Sequence, residues 1–336
     1  MEVMNKRRKR LSSQEYVDGI LAGNRVILSK AISVIESYLP RDNELAEQIL
    51  AKVVPHAGNS IRVGITGVPG VGKSTFIESF GKHITSLNKK LAVLTVDPSS
   101  QRSKGSILGD KTRMIDLATD PLAYIRPSAS GSALGGVSSK TRESMLLCEA
   151  AGYEVVFIET VGVGQSETTV YGMVDFFLLL MLAGAGDELQ GIKKGIMEMA
   201  DAIAITKADG DNFKHATRAK MEYQNALHLF PLPVTGWNPK VLTCSAVDKK
   251  GLRAIWNTIE DHYQMMFSKG YFERKRQMQN IDWMHETIRH ILERDFYNDP
   301  EIKKKINDVE LKVANQQIAA TVAAKNLLQE YSDNHQ

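Results

Sequence analysis

Short apolar runs, separated by polar stretches of helical rhythm, fill the middle of the chain. Ile61–Thr66, Leu91–Val96, Leu122–Arg126, Glu154–Glu159, Asp175–Leu182, Ala202–Thr206 and Lys240–Thr243 each read as a strand. Most are nearly continuous in apolar residues, as strands buried on both faces are. Helical patterns lie between most of them. The alternation predicts an α/β fold with a mostly parallel sheet, in which phosphate sites form at the carboxyl ends of strands.

Helices flank this region on both sides. Toward the start, Ser12 and Glu15 have capping-box spacing. Asn24 is placed to cap a helix carrying Val26, Ile27, Ala31, Val34 and Ile35. Pro40 is expected to end that helix, and Asp42 or Asn43 to cap the next, through Leu50. After Gly251 no strand pattern remains: Leu252–Phe267 and Tyr271–Tyr297 read as helices, and Asn298-Asp299-Pro300 as a turn and helix start. From Glu301 to Tyr331 there is no Gly or Pro, and Ile302, Ile306, Val309, Val313, Ala320, Ala324 and Leu327 recur at helical steps. That pattern predicts one continuous helix, about 45 Å long at 1.5 Å per residue. A single apolar stripe of that length needs a partner surface, so a homodimer through this region is expected. The expected division is 1–57 as N-terminal tail and helices, 58–268 as the α/β domain and 269–336 as a C-terminal helical dimerisation extension.

Composition narrows the function classes. With 336 residues, 43% hydrophobic and 24% charged, the chain reads as globular, and a net charge of +3 sets up no strong field for nucleic acid. The longest apolar stretch, Val174 to Gly184, falls short of the roughly 18 residues of a membrane span. Met1 to Arg10 lacks the apolar core of a secretory signal, and its basic run Lys6–Arg10 reads as a solvated tail. Cys148 and Cys244 are too few and too far apart for a disulfide framework or a metal clip. A reducing, cytoplasmic compartment is therefore expected.

The sharpest chemistry lies after the first strand. Gly67-Val68-Pro69-Gly70-Val71-Gly72-Lys73-Ser74 matches G-x-x-x-x-G-K-[ST], with an apolar strand before it and a helix after it to about Leu87, and Thr75 is counted with the loop as nucleotide-binding. Its glycines let backbone N–H groups turn inward around phosphates, and the helix start adds partial positive charge. Lys73 is expected to reach the β- and γ-phosphates, and the Ser74 hydroxyl to ligate Mg²⁺. The base is read further on. Lys207 and Asp209, in Thr206-Lys207-Ala208-Asp209, follow a strand as the Asn-Lys-x-Asp motif of GTPases does, with Thr in place of Asn. A carboxylate there accepts from guanine N1–H and the 2-amino group, a pairing adenine cannot offer. Ser245 and Ala246 follow the next strand, as the Ser-Ala loop of GTPases does. Asp97 and Glu159 end strands on the γ-phosphate side, and Asp110 is a further magnesium candidate. Glu159-Thr160-Val161-Gly162 resembles an Asp-x-x-Gly switch, with the Gly162 N–H able to sense the γ-phosphate. Gln165 is the one candidate to position water, so slow intrinsic turnover is expected.

The strings GVPGVGKST, VDPSS, GSILGDKTRM, LCEAAGY, ETVGVGQSE, GDELQGIKKGIME, TKADGD and TCSA resemble the MeaB/ArgK family, which includes the methylmalonic aciduria type A proteins. The resemblance runs from about residue 13 to 270. It implies a GTPase that chaperones adenosylcobalamin-dependent methylmalonyl-CoA mutase, gates cofactor loading and protects the mutase. GTP/GDP and Mg²⁺ would be this chain's own ligands, and adenosylcobalamin would belong to the partner. By the same resemblance Asp97, Asp110 and Glu159 match magnesium-site carboxylates. Asp187, Gln190 and Lys193 match a third switch that couples partner binding to hydrolysis, with Lys193 approaching the phosphates. An older reading of the family, an ATP-dependent kinase or ATPase serving basic amino-acid transport, is the alternative; the P-loop alone permits it, and the guanine-reading residues argue against it.

Overall fold

The computed structural model describes residues 10–37, 39–96, 114–127, 134–160, 166–184, 194–231 and 233–335. The chain divides into two compact units after Gln279.

In the first unit the elements run α1 (Ser13–Leu21), α2 (Arg25–Ile35), α3 (Pro40–Val53), β1 (Ile61–Gly67), α4 (Lys73–Ser86), β2 (Leu91–Val96), α5 (Ile115–Ala118), β3 (Ala123–Arg126), α6 (Leu134–Ala150), β4 (Val155–Thr160), α7 (Ser166–Tyr171), β5 (Phe176–Met181), α8 (Lys194–Met199), β6 (Ala202–Ile205), α9 (Asn212–Leu227), β7 (Lys240–Thr243) and α10 (Leu252–Ser268). The seven strands form one parallel sheet in the order β3-β2-β4-β1-β5-β6-β7. All seven strand expectations hold to within about two residues at each end. β1 sits at the centre between β4 and β5, so the loop that follows it lies mid-sheet.

The strands alternate between two cores even where every residue is apolar. Val63, Ile65, Leu91, Val93, Val155 and Phe157 join one core, with Phe76, Phe80 and Ile84 of α4 and Ile255, Trp256 and Ile259 of α10. Ala92, Leu94, Val156 and Ile158 join the other, with Ile20, Leu28, Ile32, Ile35 and Ile49 of α1–α3 and Leu147 of α6. The N-terminal helices are therefore the cover of one sheet face.

Local signals explain the helix starts. Ser12 and Glu15 form a complete capping box on α1, and Asn24 Oδ1 accepts from the N–H groups of Val26 and Ile27 on α2. The buried face of α2 is Leu28, Ala31, Ile32 and Ile35, while Val26 is exposed. Pro40 does not end α2, which stops at Ile35; it opens α3 with Leu39 as N-cap and no side-chain cap. The missing N–H of proline costs nothing at a first helical position. Asp42, expected as a cap, instead pairs with Arg10 and accepts from the Ser37 hydroxyl.

The amino end of the sheet carries a buried charge network. Arg62 makes a two-pronged pair with Glu149 at 2.7 and 2.9 Å, and Arg276 a two-pronged pair with Asp175 at 2.9 and 2.7 Å. The Arg62 N–H also donates to Asp175, at 2.8 Å. Every charge is matched, as burial demands.

The last helices are α11 (Tyr271–Asn298), α12 (Pro300–Ala314) and α13 (Ala320–Asp333). Asp299 caps α12, with Pro300 in its first turn. The single helix expected over Glu301–Tyr331 is two helices. Gln316 takes a left-handed φ of 56°. The Gln317 N–H donates to Lys312 O at 2.9 Å and the Gln316 N–H to Val313 O at 3.0 Å. This is a complete Schellman ending, built without glycine. α13 folds back on α12: Lys305 pairs with Glu330, the Phe296 and Tyr331 rings meet at 5.4 Å, and Ile302 and Ala323 are buried.

Candidate nucleotide site

The loop between β1 and α4 is shaped by close approach and by left-handed backbone. A Cβ on Gly67 would sit 2.6 Å from the Leu180 carbonyl oxygen, so only glycine lets β1 lie this close to β5. Gly70 and Gly72 have φ of +75° and +87°, which turn the chain into α4. The first N–H groups of α4, from Lys73, Ser74 and Thr75, have no intrahelical acceptor and form an anion-binding end. Val68 and Val71 are buried and anchor the loop, while Pro69 and Gly70 are exposed. The Lys73 ammonium donates to the Gly67 carbonyl at 2.9 Å. Burial lowers its pKa, and the charges of Glu159 and Glu167 act the other way. The contact that holds the ammonium is thus the loop's own Gly67 carbonyl.

The segments expected to read the base clasp this loop from the side. The Thr206 hydroxyl, buried, donates to the Val71 carbonyl at 2.9 Å and lies 3.3 Å from the Met181 carbonyl. Thr206 therefore makes, through a shorter side chain, a tether to the phosphate loop from the position where Asn is usual. Lys207 has a left-handed φ of 56°, and its ammonium donates to the Gly70 carbonyl at 2.8 Å. Its stem passes close to Gly72. Asn212 fixes this turn by donating to the Lys207 carbonyl at 2.7 Å. Asp209 accepts from the fully buried Ser245 hydroxyl at 2.6 Å. Ser245 also accepts from the Asp248 N–H and pairs its backbone with Lys250, all at 3.0 Å. The Ala208 N–H donates to Cys244 O at 3.0 Å, which ties the two loops together. Lys207, Asp209, Ser245 and Ala246 thus lie in two mutually bonded loops beside Gly67–Ser74.

Glu159, expected on the γ-phosphate side, lies near the end of β4, 4% exposed and in register with Ile65 of β1 and Thr95 of β2. The Thr160 hydroxyl donates to the Thr66 hydroxyl at 2.9 Å. Asp97, Asp110, Gly162, Gln165, Asp187, Gln190 and Lys193 lie outside the described residues. Glu167 was not singled out from sequence. It sits in the first turn of α7, 1% exposed, and its charge acts on Lys73. Its signal was faint: one acid at the close of the ETVGVGQSE string. Ser74 and Glu159 offer hard oxygen donors of the kind Mg²⁺ takes. Among the described residues no cluster of three or more His, Cys, Asp or Glu gathers.

No described helix is long and apolar enough to cross a membrane.

A central strand, a phosphate loop with its lysine and hydroxyl, and an Asp-bearing loop clasped to it define a P-loop GTPase. Residues 28–301 match the family described as "Methylmalonyl Co-A mutase-associated GTPase MeaB", and the chain belongs to that family. It is 48% identical to "GTPase ArgK" of Escherichia coli (strain K12) over 286 residues, which are 85% of this chain and 86% of that one. To "Methylmalonic aciduria type A homolog, mitochondrial" of Mus musculus it is 44% identical over 336 residues, with 96% of this chain and 81% of that one covered. A crystal structure titled "LAO/AO transport system kinase" superposes with a TM-score of 0.76 at 38% identity, covering 95% of this chain and 97% of that one. The chain is accordingly a GTP-hydrolysing enzyme that takes guanine nucleotide, with Mg²⁺ as the usual companion of the fold.

Proposed function

We propose that this GTPase is a chaperone of an adenosylcobalamin-dependent acyl-CoA mutase, methylmalonyl-CoA mutase, whose cofactor loading it gates and whose activity it protects. The observation that carries the nucleotide half is the double clasp of Thr206 and Lys207 on the phosphate loop, with Asp209 oriented by Ser245. A kinase that uses ATP has no need of that carboxylate. The partner half rests on membership of a family described by its association with that mutase.

In this reading the backbone N–H groups of Gly67–Thr75, those of every residue but Pro69, and the Lys73 ammonium hold the β- and γ-phosphates and stabilise charge that develops in transfer. Lys207 lies along the base, Asp209 takes its N1–H and 2-amino group, and Ser245 and Ala246 complete the base pocket. Ser74, Asp97, Asp110 and Glu159 hold Mg²⁺, which neutralises phosphate charge. Gly162 senses the γ-phosphate. Asp187, Gln190 and Lys193 form a third switch, and hydrolysis is slow until the partner orders it. Ile281, Met284, Ile288 and Leu292 stand exposed on α11 and support a homodimer of the C-terminal helices.

The test is GTP turnover with and without the mutase. Wild type is expected to accelerate, and Lys193→Ala to lose most of the acceleration. A Lys193→Ala protein that responds to the mutase as wild type does sinks the third-switch assignment.

A further inference from the structure

Helix α4 carries Lys73 and Ser74 at its start, and one and a half turns later it reaches the base side of the site. There the half-buried Ser79 hydroxyl donates to the Ala246 backbone carbonyl at 2.8 Å. The remaining bonds of the 244–250 loop run elsewhere. Cys244 is held by the Ile205 and Ala208 backbone, and Ser245 by Asp209, Asp248 and Lys250. Beyond Ala246 the chain is exposed, with Val247 at 77%. Among the described hydrogen bonds, Ser79 is what joins this loop to the phosphate-binding helix. Among the described backbone bonds, none uses the Ala246 N–H.

The chemistry of guanine gives that N–H a task. Asp209 can accept only from the N1–H and 2-amino edge. The 6-oxo group is an acceptor and needs a donor beside that carboxylate. Ser245 Oγ stands 2.6 Å from the Asp209 carboxylate, and the next N–H along the chain is that of Ala246. We propose that Ser79 is a positioning residue for recognition of the guanine 6-oxo group: with Ser245 held on one side and the Ala246 carbonyl held by Ser79 on the other, the Ser245–Ala246 peptide that carries the N–H is pinned between two fixed points. The proposal rests on the guanine-nucleotide reading and goes beyond it. It makes the middle of α4, and not only its first turn, part of the site, so that the spacing between phosphate cradle and base pocket is fixed by one rigid helix.

The test uses the full chain with Mg²⁺·GDP and Mg²⁺·6-thio-GDP, in which sulfur, a poor acceptor, replaces the 6-oxo group. Ser79→Ala should bind GDP about fivefold more weakly, which corresponds to the ~1 kcal/mol of one neutral hydrogen bond. It should bind 6-thio-GDP as wild type does, so the preference between the two ligands shrinks. Ser79→Thr, which keeps the hydroxyl, should restore the preference. Alanine is the better helix former, so the variant folds. With saturating GTP, kcat should be unchanged and the effect should sit in KM. Equal weakening of both ligands would mean a packing role and overturn the proposal, as would unchanged affinity or a wild type indifferent to the sulfur. A wild type that prefers ADP to GDP would overturn the guanine reading instead, which separates the two failures.

Discussion

Replacing Thr206 by valine removes a single hydroxyl and keeps the shape of the side chain. In the structure that hydroxyl is buried and donates to the Val71 carbonyl at 2.9 Å, with Met181 O at 3.3 Å as the alternative acceptor. Met181 O already accepts from the Thr206 N–H at 2.8 Å, so Val71 O is the group left without its partner. Val71 is 1% exposed, and water has little access to replace the lost bond. A buried acceptor orphaned in this way costs about 1–3 kcal/mol, and the lower half of that range applies where the loop can shift. The Val71 peptide belongs to the phosphate cradle, so the cost should appear as weaker nucleotide binding. About 1–2 kcal/mol is roughly a 5–30-fold change. The assay is release of a fluorescent GDP analogue in a stopped-flow chase, run beside a thermal melt of the same protein. Thr206→Val should release GDP roughly 5–30 times faster, whereas Thr206→Asn, the side chain usual at this position, should stay near wild type. If the valine variant loses melting temperature but releases GDP at the wild-type rate, the tether is merely structural and the reasoning fails.

Other outcomes follow from the same geometry. Asp209→Asn should relax selectivity toward xanthine nucleotides, checked by competition with XDP; a variant that still rejects XDP would remove Asp209 from base reading. Lys73→Ala should abolish measurable GTP hydrolysis, because a charge aimed at the transferred phosphoryl is lost; phosphate release at the wild-type rate would contradict the role. His262, buried between the Phe176 and Trp237 rings, has its pKa lowered by burial, with Asp201 and Asp175 raising it and Lys275 lowering it further. The neutral form is therefore favoured on folding. Its contribution to stability is complete above the unfolded pKa of ~6.5 and is lost as pH falls below that toward the folded value. Urea melts at pH 7.5 and 5.5 should show a smaller acid loss in His262→Gln than in wild type, and equal losses would exclude His262 as the cause.

Much of the nucleotide domain was legible because its signals are local. Seven apolar runs gave seven strands, since strands buried on both faces leave little room for polar residues. The phosphate loop was legible because backbone turned toward phosphate requires glycine at fixed steps, as the φ values of Gly70 and Gly72 show. Less was legible where the fold chose between local options. Pro40 signals either an end or a beginning, and packing of Ala46, Ile49 and Val53 decided for a beginning. The break at Gln316 was hidden because Val313 and Ala320 are seven residues apart, which keeps the helical apolar rhythm running across the turn. A glutamine can take the left-handed position when the Schellman bonds and the returning α13 favour it. The effect of Thr206 needed three dimensions, since only the fold shows that its hydroxyl reaches Val71. Glu167 was missed because its meaning lies in nearness to Lys73, across 94 residues of chain.

The base is the point on which the whole account turns. Titration of the full chain with Mg²⁺·GDP and Mg²⁺·ADP by calorimetry tests it most directly. Asp209, oriented by Ser245 beside a loop clasped by Thr206 and Lys207, predicts that GDP binds at least about a hundredfold more tightly, the worth of roughly two well-made hydrogen bonds. Equal affinity for the two nucleotides would contradict it.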